Sequence, residues 1–241
     1  MINEMNSVPL YVQLYHEILE HIVNGEWPQD YKVPSEAQIC EEYNVSRMTV
    51  RLAMDKLKDQ GYLKRKQGQG TFVTIPVLEQ KLNGFYSFSD TSDEKGQPMI
   101  SKVISMEVTK AKDLIADKLQ VTNGTKVFRI ERVRSMDGIP VVYETSYIPE
   151  HICPQLRADH IERDGLYQSL MFLNHIAPDS AMETLEAVAT DELAAKYLNT
   201  KPGQPAMFIQ RIAKEKDTTI EYCQSTVRGD KMKYNIMLKK Y

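Results

Sequence analysis

The stretch from Pro34 to Val73 constrains this chain more than any other, because it packs two helix starts and a glycine-tipped hairpin into a short run. Ser35 is followed three residues later by Gln38, the spacing of a capping box, in which side chain and backbone at a helix start satisfy each other. Ser46 follows the turn residues Asn44 and Val45 and is placed to cap a second helix. In that second helix Val50, Ala53, Met54 and Leu57 recur at i, i+3, i+4 and i+7, which makes one apolar stripe for packing. The other side, with Met48, Arg51 and Asp55 flanked by Arg47 and Thr49, is therefore predicted to face outward. Gly61 ends the helix. Tyr62 to Lys66, followed by Gln67-Gly68-Gln69-Gly70-Thr71-Phe72-Val73, reads as strand, narrow tip and strand. This is the pattern of a winged helix-turn-helix, whose second helix fits the major groove of DNA.

Charge agrees once it is taken regionally. The whole chain is slightly acidic, with 30 basic and 33 acidic residues and a net charge of −3. Between Ser46 and Thr71, however, Arg47, Arg51, Lys56, Lys58, Lys64, Arg65 and Lys66 face only Asp55 and Asp59, whereas the first 45 residues hold a single lysine, Lys32, among eight carboxylates. Phosphate contacts need such a concentrated basic face. The candidate DNA-binding residues are Ser35, Ser46, Arg47, Met48, Thr49 and Arg51 on the helices, and Lys66, Gln67, Gly68, Gln69, Gly70 and Thr71 on the wing.

Other features narrow the classes open to the rest of the chain. Cys40, Cys153 and Cys223 are odd in number and lack Cys-x-x-Cys spacing, so neither a disulfide framework nor a zinc site is favoured and a cytoplasmic location is expected. The five histidines are scattered without metal-ligand spacing, and no apolar run approaches a membrane span. We expect no metal, no cofactor and no membrane. An amphipathic helix from Leu10 to Asn24 precedes the reading head, with Tyr11 and Tyr15 on its apolar stripe. Residues 1–75 are expected to form the winged domain, 76–84 a linker and 85–241 a second domain.

That second domain reads as a duplication. A helix holding Asp113, Leu114, Ala116, Lys118 and Leu119 leads to Asn123-Gly124, a strand from Lys126 to Arg134, a turn, and a strand with Glu144. A helix holding Asp191, Leu193, Ala194, Lys196 and Leu198 leads to Pro202-Gly203, a strand from Ala206 to Lys214, a turn, and a strand with Glu221. Arg132 and Arg211 stand at the same distance after their turn glycines. Two such units joined edge to edge predict one largely antiparallel sheet with helices on one face, an α+β domain.

Arg132 and Arg134 alternate with Val133 and so share a strand face with Phe128 and Ile130. Two guanidiniums on such a face need an anion, either a carboxylate such as Glu144 or Glu221, or a bound ligand held by forked hydrogen bonds. Hairpin register bears on which groups meet. A two-residue Asp137-Gly138 turn would place Glu144 on the opposite face, whereas a three-residue Met136-Asp137-Gly138 loop brings Arg132, Arg134 and Glu144 together. We expect the three-residue loop.

Pro34-Ser35-Glu36, Val45-Ser46-Arg47-Met48-Thr49-Val50-Arg51 and Gly68-Gln69-Gly70-Thr71-Phe72-Val73 resemble the DNA-binding domain of the GntR superfamily. Phe88-Ser89, Arg132-Val133-Arg134, Asp137-Gly138-Ile139-Pro140 and Tyr143-Glu144-Thr145-Ser146 resemble the UTRA effector domain of its HutC subfamily. The resemblance covers nearly the whole chain. It implies a dimeric, ligand-responsive transcription factor, usually a repressor, with an effector domain of chorismate-lyase-like fold and mixed or antiparallel sheet. In the amino-sugar-phosphate responders of that group, the matching pattern implies a phosphate held by Ser89, after Phe88, and by Arg132, with Arg134, Glu144 and Glu221 on the sugar side. The chain departs from the pattern at Gly165, where a serine is usual, at Val227, where an aromatic is common, and at Ala37, where an arginine follows Pro-Ser-Glu.

The expected partners are a double-stranded DNA operator with an inverted repeat, a small anionic metabolite such as a sugar phosphate, and a second copy of the chain. The competing reading is an enzyme of chorismate-lyase-like fold acting on an anionic substrate. No Gly-x-Ser-x-Gly elbow, phosphate-binding glycine loop or metal constellation supports turnover, so we expect no catalysis.

Overall fold

The apolar stripe of α1 (Leu10–Val23) buries Leu14, Tyr15, Ile18, Leu19 and Ile22, and it packs on the stripe of α3 (Arg47–Asp59), where Val50, Ala53, Met54 and Leu57 are buried as the spacing predicts. Tyr15 belongs to this core, while Tyr11 is half-buried. The computed structural model describes residues 7–74, 76–81 and 99–238, and it divides into two units between Val77 and Leu78. No helix among the described residues is long and apolar enough to cross a membrane.

In the first unit α2 (Glu36–Tyr43) begins with the expected capping box: Ser35 Oγ accepts from Gln38 N at 3.4 Å, and Gln38 Oε1 accepts from Ser35 N at 2.9 Å. Ser46 Oγ accepts from Thr49 N at 3.2 Å at the start of α3. Such caps contribute about 1 kcal/mol each. The wing follows as β1 (Leu63–Lys66) and β2 (Gly70–Val73), paired from Leu63 opposite Val73 to Lys66 opposite Gly70. Residues 30–33 run along the free side of β2, with Val33 N donating to Thr71 O at 2.9 Å and Val73 N to Tyr31 O at 2.9 Å. Residues 30–33 thus flank the two-stranded wing through a single bridge, Lys32 opposite Phe72.

The second unit starts with β3 (Leu78–Lys81), inside the stretch expected to be linker. This corrects the expectation. Leu78 and Gln80 are buried while Glu79 is exposed, so the run alternates as a strand, but it is too short to signal itself and its parallel partner lies near the far end of the chain. After β4 (Ile100–Lys110) come α4 (Asp113–Leu119), β5 (Lys126–Met136), β6 (Ile139–Pro149), α5 (Ala158–Asp164), α6 (Leu166–Asn174), β7 (Ser180–Ala189), α7 (Glu192–Tyr197), β8 (Pro205–Glu215), β9 (Thr218–Arg228) and β10 (Met232–Asn235). β10 is the strand that pairs with β3.

The main sheet has six antiparallel strands in the order β4-β5-β6-β9-β8-β7, which is two three-stranded halves meeting at β6 and β9. The duplication read from sequence is visible in detail. Left-handed Gln120 and Asn199 close the two helices' ends, and left-handed Asp137 and Lys216 open the two hairpin turns. Each hairpin also carries an extra residue on its second strand, Val141 in one and Ile220 in the other. The repeat helices α4 and α7 lie on one face, packing Ala116 and Leu119 against Val127 and Tyr222, and Ala194 and Leu198 against Val133 and Tyr143. The other face is not bare, contrary to expectation. α5 and α6, inserted between the halves, bury Ile161, Leu166 and Leu170 against Phe128, Ile130, Ile148 and Ala213.

Candidate functional site

The hairpin between β5 and β6 turns in two residues, Asp137 and Gly138, with φ of 49° and 81°. The expected three-residue loop is absent, yet Arg132, Arg134 and Glu144 do share a face. The reason is the bulge at Val141. Ser135 pairs with Pro140 but Arg134 pairs with Val142, so every residue beyond the bulge is shifted by one and Arg132 stands directly opposite Glu144. The second hairpin repeats the device, with Ala213 opposite Glu221 and Arg211 opposite Cys223. β6 and β9 then set Glu144 beside Ser225, and Ser146 beside Cys223. Both halves therefore aim their polar side chains at one place on the sheet.

All of these groups are buried, Arg132 with only 1% of its surface exposed. Arg132 Nη2 meets Glu144 Oε1 at 2.7 Å, donates to Ser146 Oγ at 2.9 Å, and lies 4.0 Å from Glu221. Arg134 Nε donates to the same Glu144 oxygen at 2.8 Å, and Ser225 Oγ donates to its other oxygen at 3.4 Å. Arg211 pairs with Glu183 at 2.7 Å, and the Tyr167 hydroxyl donates to Glu221. Burial favours the neutral form of Glu144, but Arg132, Arg134 and Arg211 outweigh it and hold its carboxyl below the usual carboxylate range. Burial likewise opposes the charge on Arg132, and Glu144 and Glu221 more than restore it. The neighbouring Cys223 thiol is pushed up to about 12 by burial, then by Glu144 and Glu221, and burial beside Glu221 raises Tyr167 well above its ordinary value. Both stay neutral at physiological pH. The cluster is thus ionic and internally balanced, with three guanidiniums facing three carboxylates.

Balance is not saturation. Arg132 Nε and Nη1 are buried donors with no hydrogen-bond partner. Arg132 also lines a cavity of about 20 Å³, together with Leu166, Tyr167, Ile209 and Ser225 among others. A void of that size holds about one water. Of the residues expected here, Arg132, Arg134, Glu144 and Glu221 come together as predicted, while Phe88 and Ser89 lie outside the described residues. Sequence reasoning missed Glu183, Arg211 and Tyr167. Arg211 was signalled by its match to Arg132 across the repeat, and Glu183 only by the pairing that sets it opposite Arg211.

Two of the departures from the family pattern find local causes. Gly165 has φ of 81° and ψ of 163° at the start of α6, a conformation that strains any residue with a Cβ. Val227 is buried in a cluster with Leu78, Val142, Ile209 and Met232. Ala37 is exposed on the first turn of α2.

The first unit presents a different kind of surface. Arg47, Met48 and Arg51 are exposed on one side of α3, Met48 at 64%. Among the described residues no hydrogen bond or ion pair holds either arginine. Thr49 is half-buried, and its hydroxyl lies 2.9 Å from Ser46 Oγ. Gln67, Gly68 and Gln69 form the exposed wing tip, closed by Gln69 N donating to Lys66 O at 3.0 Å, with Gly70 exposed and Thr71 half-buried behind it.

Comparison with known proteins agrees with both units. The family model described as bacterial regulatory proteins, gntR family, matches residues 10–73, and that of the UTRA domain matches residues 94–233. The HTH-type transcriptional repressor NagR of Bacillus subtilis (strain 168) is 32% identical over 231 residues, which is 95% of each chain. The histidine utilization repressor of Pseudomonas putida is 31% identical over 205 residues, 84% of this chain and 81% of that one. Among solved structures, PhnF from Mycobacterium smegmatis superposes with a TM-score of 0.66 at 26% identity, covering 97% of this chain and 100% of that one.

Proposed function

The chain belongs to the GntR family of bacterial regulatory proteins and carries a UTRA domain, so it is a DNA-binding transcriptional regulator of repressor type and not an enzyme; from that premise we propose that a small anionic metabolite bound at Arg132 releases it from its operator. The observation that carries this reading is the pair of unpartnered donor nitrogens, Nε and Nη1, on a buried guanidinium. Leaving buried donors unsatisfied costs about 1 to 3 kcal/mol, more for a charged group, and a ligand oxygen removes that penalty. Ser89, after Phe88, joins Arg132 at the anionic end, while Arg134, Glu144 and Glu221 contact the rest of the molecule. Relatives named for histidine utilization support a small metabolite as the signal.

The cavity of about 20 Å³ is far below the roughly 300 Å³ or more of a metabolite pocket, so binding and rearrangement are one event. A ligand that binds one arrangement better than another shifts the population between them. The connection between the two units carries that shift to the reading head, where Arg47, Met48, Thr49 and Arg51 read bases and Ser35, Ser46 and the wing from Lys66 to Thr71 approach the backbone. The protein acts in the cytoplasm as a homodimer, and two symmetric heads call for an operator with an inverted repeat.

A thermal-shift panel of phosphorylated sugars, unphosphorylated sugars and organic acids tests the proposal, since a ligand of the folded state stabilises it by about 2.7 kcal/mol at a hundredfold excess over Kd. The anions are expected to raise the melting temperature and release operator DNA without being consumed. Stabilisation by neutral sugars alone would remove the anionic assignment.

A further inference from the structure

Lys32, the one lysine in an otherwise acidic N-terminal stretch, is placed by the fold among the cations of the wing. It forms an antiparallel bridge with Phe72, and Phe72 stands directly opposite Lys64 on β1. Residues directly opposite in antiparallel strands project to the same face. Lys32, Phe72 and Lys64 therefore form a row across the wing, and the next row toward the tip is Gly70 and Lys66. The other face carries Leu63 and Val73, which are buried, so this lysine-bearing face is the one turned to solvent.

Within the face the lysines lean in opposite directions. Lys66 folds back toward the root, with Nζ 4.5 Å from the centre of the Phe72 ring and 3.6 Å from Asp30. Lys32 instead leans toward the tip and across Gly70. A Cβ at position 70 would meet Lys32 Cε at 3.1 Å, so the glycine leaves room for the lysine stem. Lys32 is exposed and has no hydrogen bond or ion pair among the described residues. Of the cations expected from sequence on the wing, Lys64 and Arg65 are exposed and Lys66 is partly neutralised, and Lys32 adds a further cation beside the tip from a segment distant in sequence.

We propose that Lys32 is a DNA-backbone contact of the wing, engaging a phosphate beside the groove that the Gly68–Gly70 tip enters, and that it carries more of the wing's salt-dependent affinity than Lys66. The inference rests on the operator-binding reading. A lone ammonium that neutralises a phosphate releases condensed counterions, so it contributes to affinity on every sequence and steepens the dependence on salt.

The test uses the full chain and a duplex selected from a random-sequence library by the wild-type protein, with a scrambled duplex alongside, titrated at several salt concentrations. Lys32→Ala is expected to flatten the log–log salt slope by about one for each bound head and to weaken both duplexes alike, with Lys32→Arg retaining the wild-type slope. Lys66→Ala is expected to change the slope less. An unchanged slope for Lys32→Ala, in a variant with the wild-type melting temperature, overturns the proposal, as does a larger change for Lys66→Ala. If the wild-type protein itself selects no duplex, the operator-binding reading fails and the assignment of Lys32 falls with it.

Discussion

Arg47 and Arg51 stand exposed on α3 with no carboxylate bound to them among the described residues, whereas Arg132, Arg134 and Arg211 are buried and each meets a glutamate at 2.7 or 2.8 Å. The same side chain serves two ends. On the reading helix its charge is kept free for a partner that arrives with its own negative charge, and water screens it in the meantime. Within the sheet the guanidiniums are buried, so the fold supplies carboxylates and leaves Nε and Nη1 of Arg132 unpartnered. An arginine in the first setting is dispensable to the fold, and one in the second is not.

The largest expected effect breaks the buried side of this comparison. Glu144 neutralises Arg132 and Arg134 together, so Glu144→Ala strands two guanidiniums and is expected to destabilise the second unit by about 3 to 5 kcal/mol in chemical denaturation. The pH dependence follows from the same pair. The folded Glu144 carboxyl lies below its ordinary value, so its contribution is complete above the usual carboxylate range, near 4.3, and is lost as pH falls through the lower folded value. Wild-type stability should therefore decline on acidification below about pH 4.3, and Glu144→Gln, already weaker at neutrality, should decline less steeply. Equal slopes would show that Glu144 carries no special charge.

Arg132→Ala should remove about 2 kcal/mol or more of effector affinity, read by calorimetry, while leaving operator binding intact. Arg134 still holds Glu144 in this variant, so the loss of stability should be smaller than for Glu144→Ala. A variant that melts early but binds effector normally would make Arg132 purely structural. On the exposed side, Arg51→Ala should weaken operator binding by about 1 to 3 kcal/mol and relax base preference. Its melting temperature should not move. A destabilised Arg51→Ala would erase the distinction between the two regions.

The two regions were also unequally legible. The reading head could be followed residue by residue because its signals are local: caps at Ser35 and Ser46, a stripe at Val50, Ala53, Met54 and Leu57, and a glycine-bearing tip. The buried cluster depends on pairings between distant strands, so it is only partly readable. The sequence predicts Arg132, Arg134 and Glu144 on one face through a three-residue loop that does not form, and the bulge at Val141 produces the same alignment by another route. A bulge leaves no clear mark in composition, since Val141 looks like any strand residue. Ile220 shows that the repeat held the answer: a bulge in one half implied a bulge in the other. The contribution of Glu183 required knowing that β7 closes the far edge of the sheet. β3 leaves little local signal because it has four residues and its partner, β10, lies at the other end of the unit.

The smallest expected effect concerns Ser46, which belongs to the exposed surface by position and to the fold by its bonds. Its hydroxyl accepts from Thr49 N at 3.2 Å, so Ser46→Ala should remove a cap and about 1 kcal/mol of stability in the first unit. That result alone would not separate a cap from a DNA contact. Ser46→Asp does, because aspartate caps a helix as well as serine and its charge suits the positive end of the helix dipole. The fold should then be as stable as the wild type, while a carboxylate set beside Arg47 at the start of the reading helix repels phosphate. Operator affinity is expected to fall and its salt dependence to flatten. Undiminished affinity in Ser46→Asp would place the N-terminus of α3 away from the DNA backbone and confine the reading surface to Arg51 and the wing.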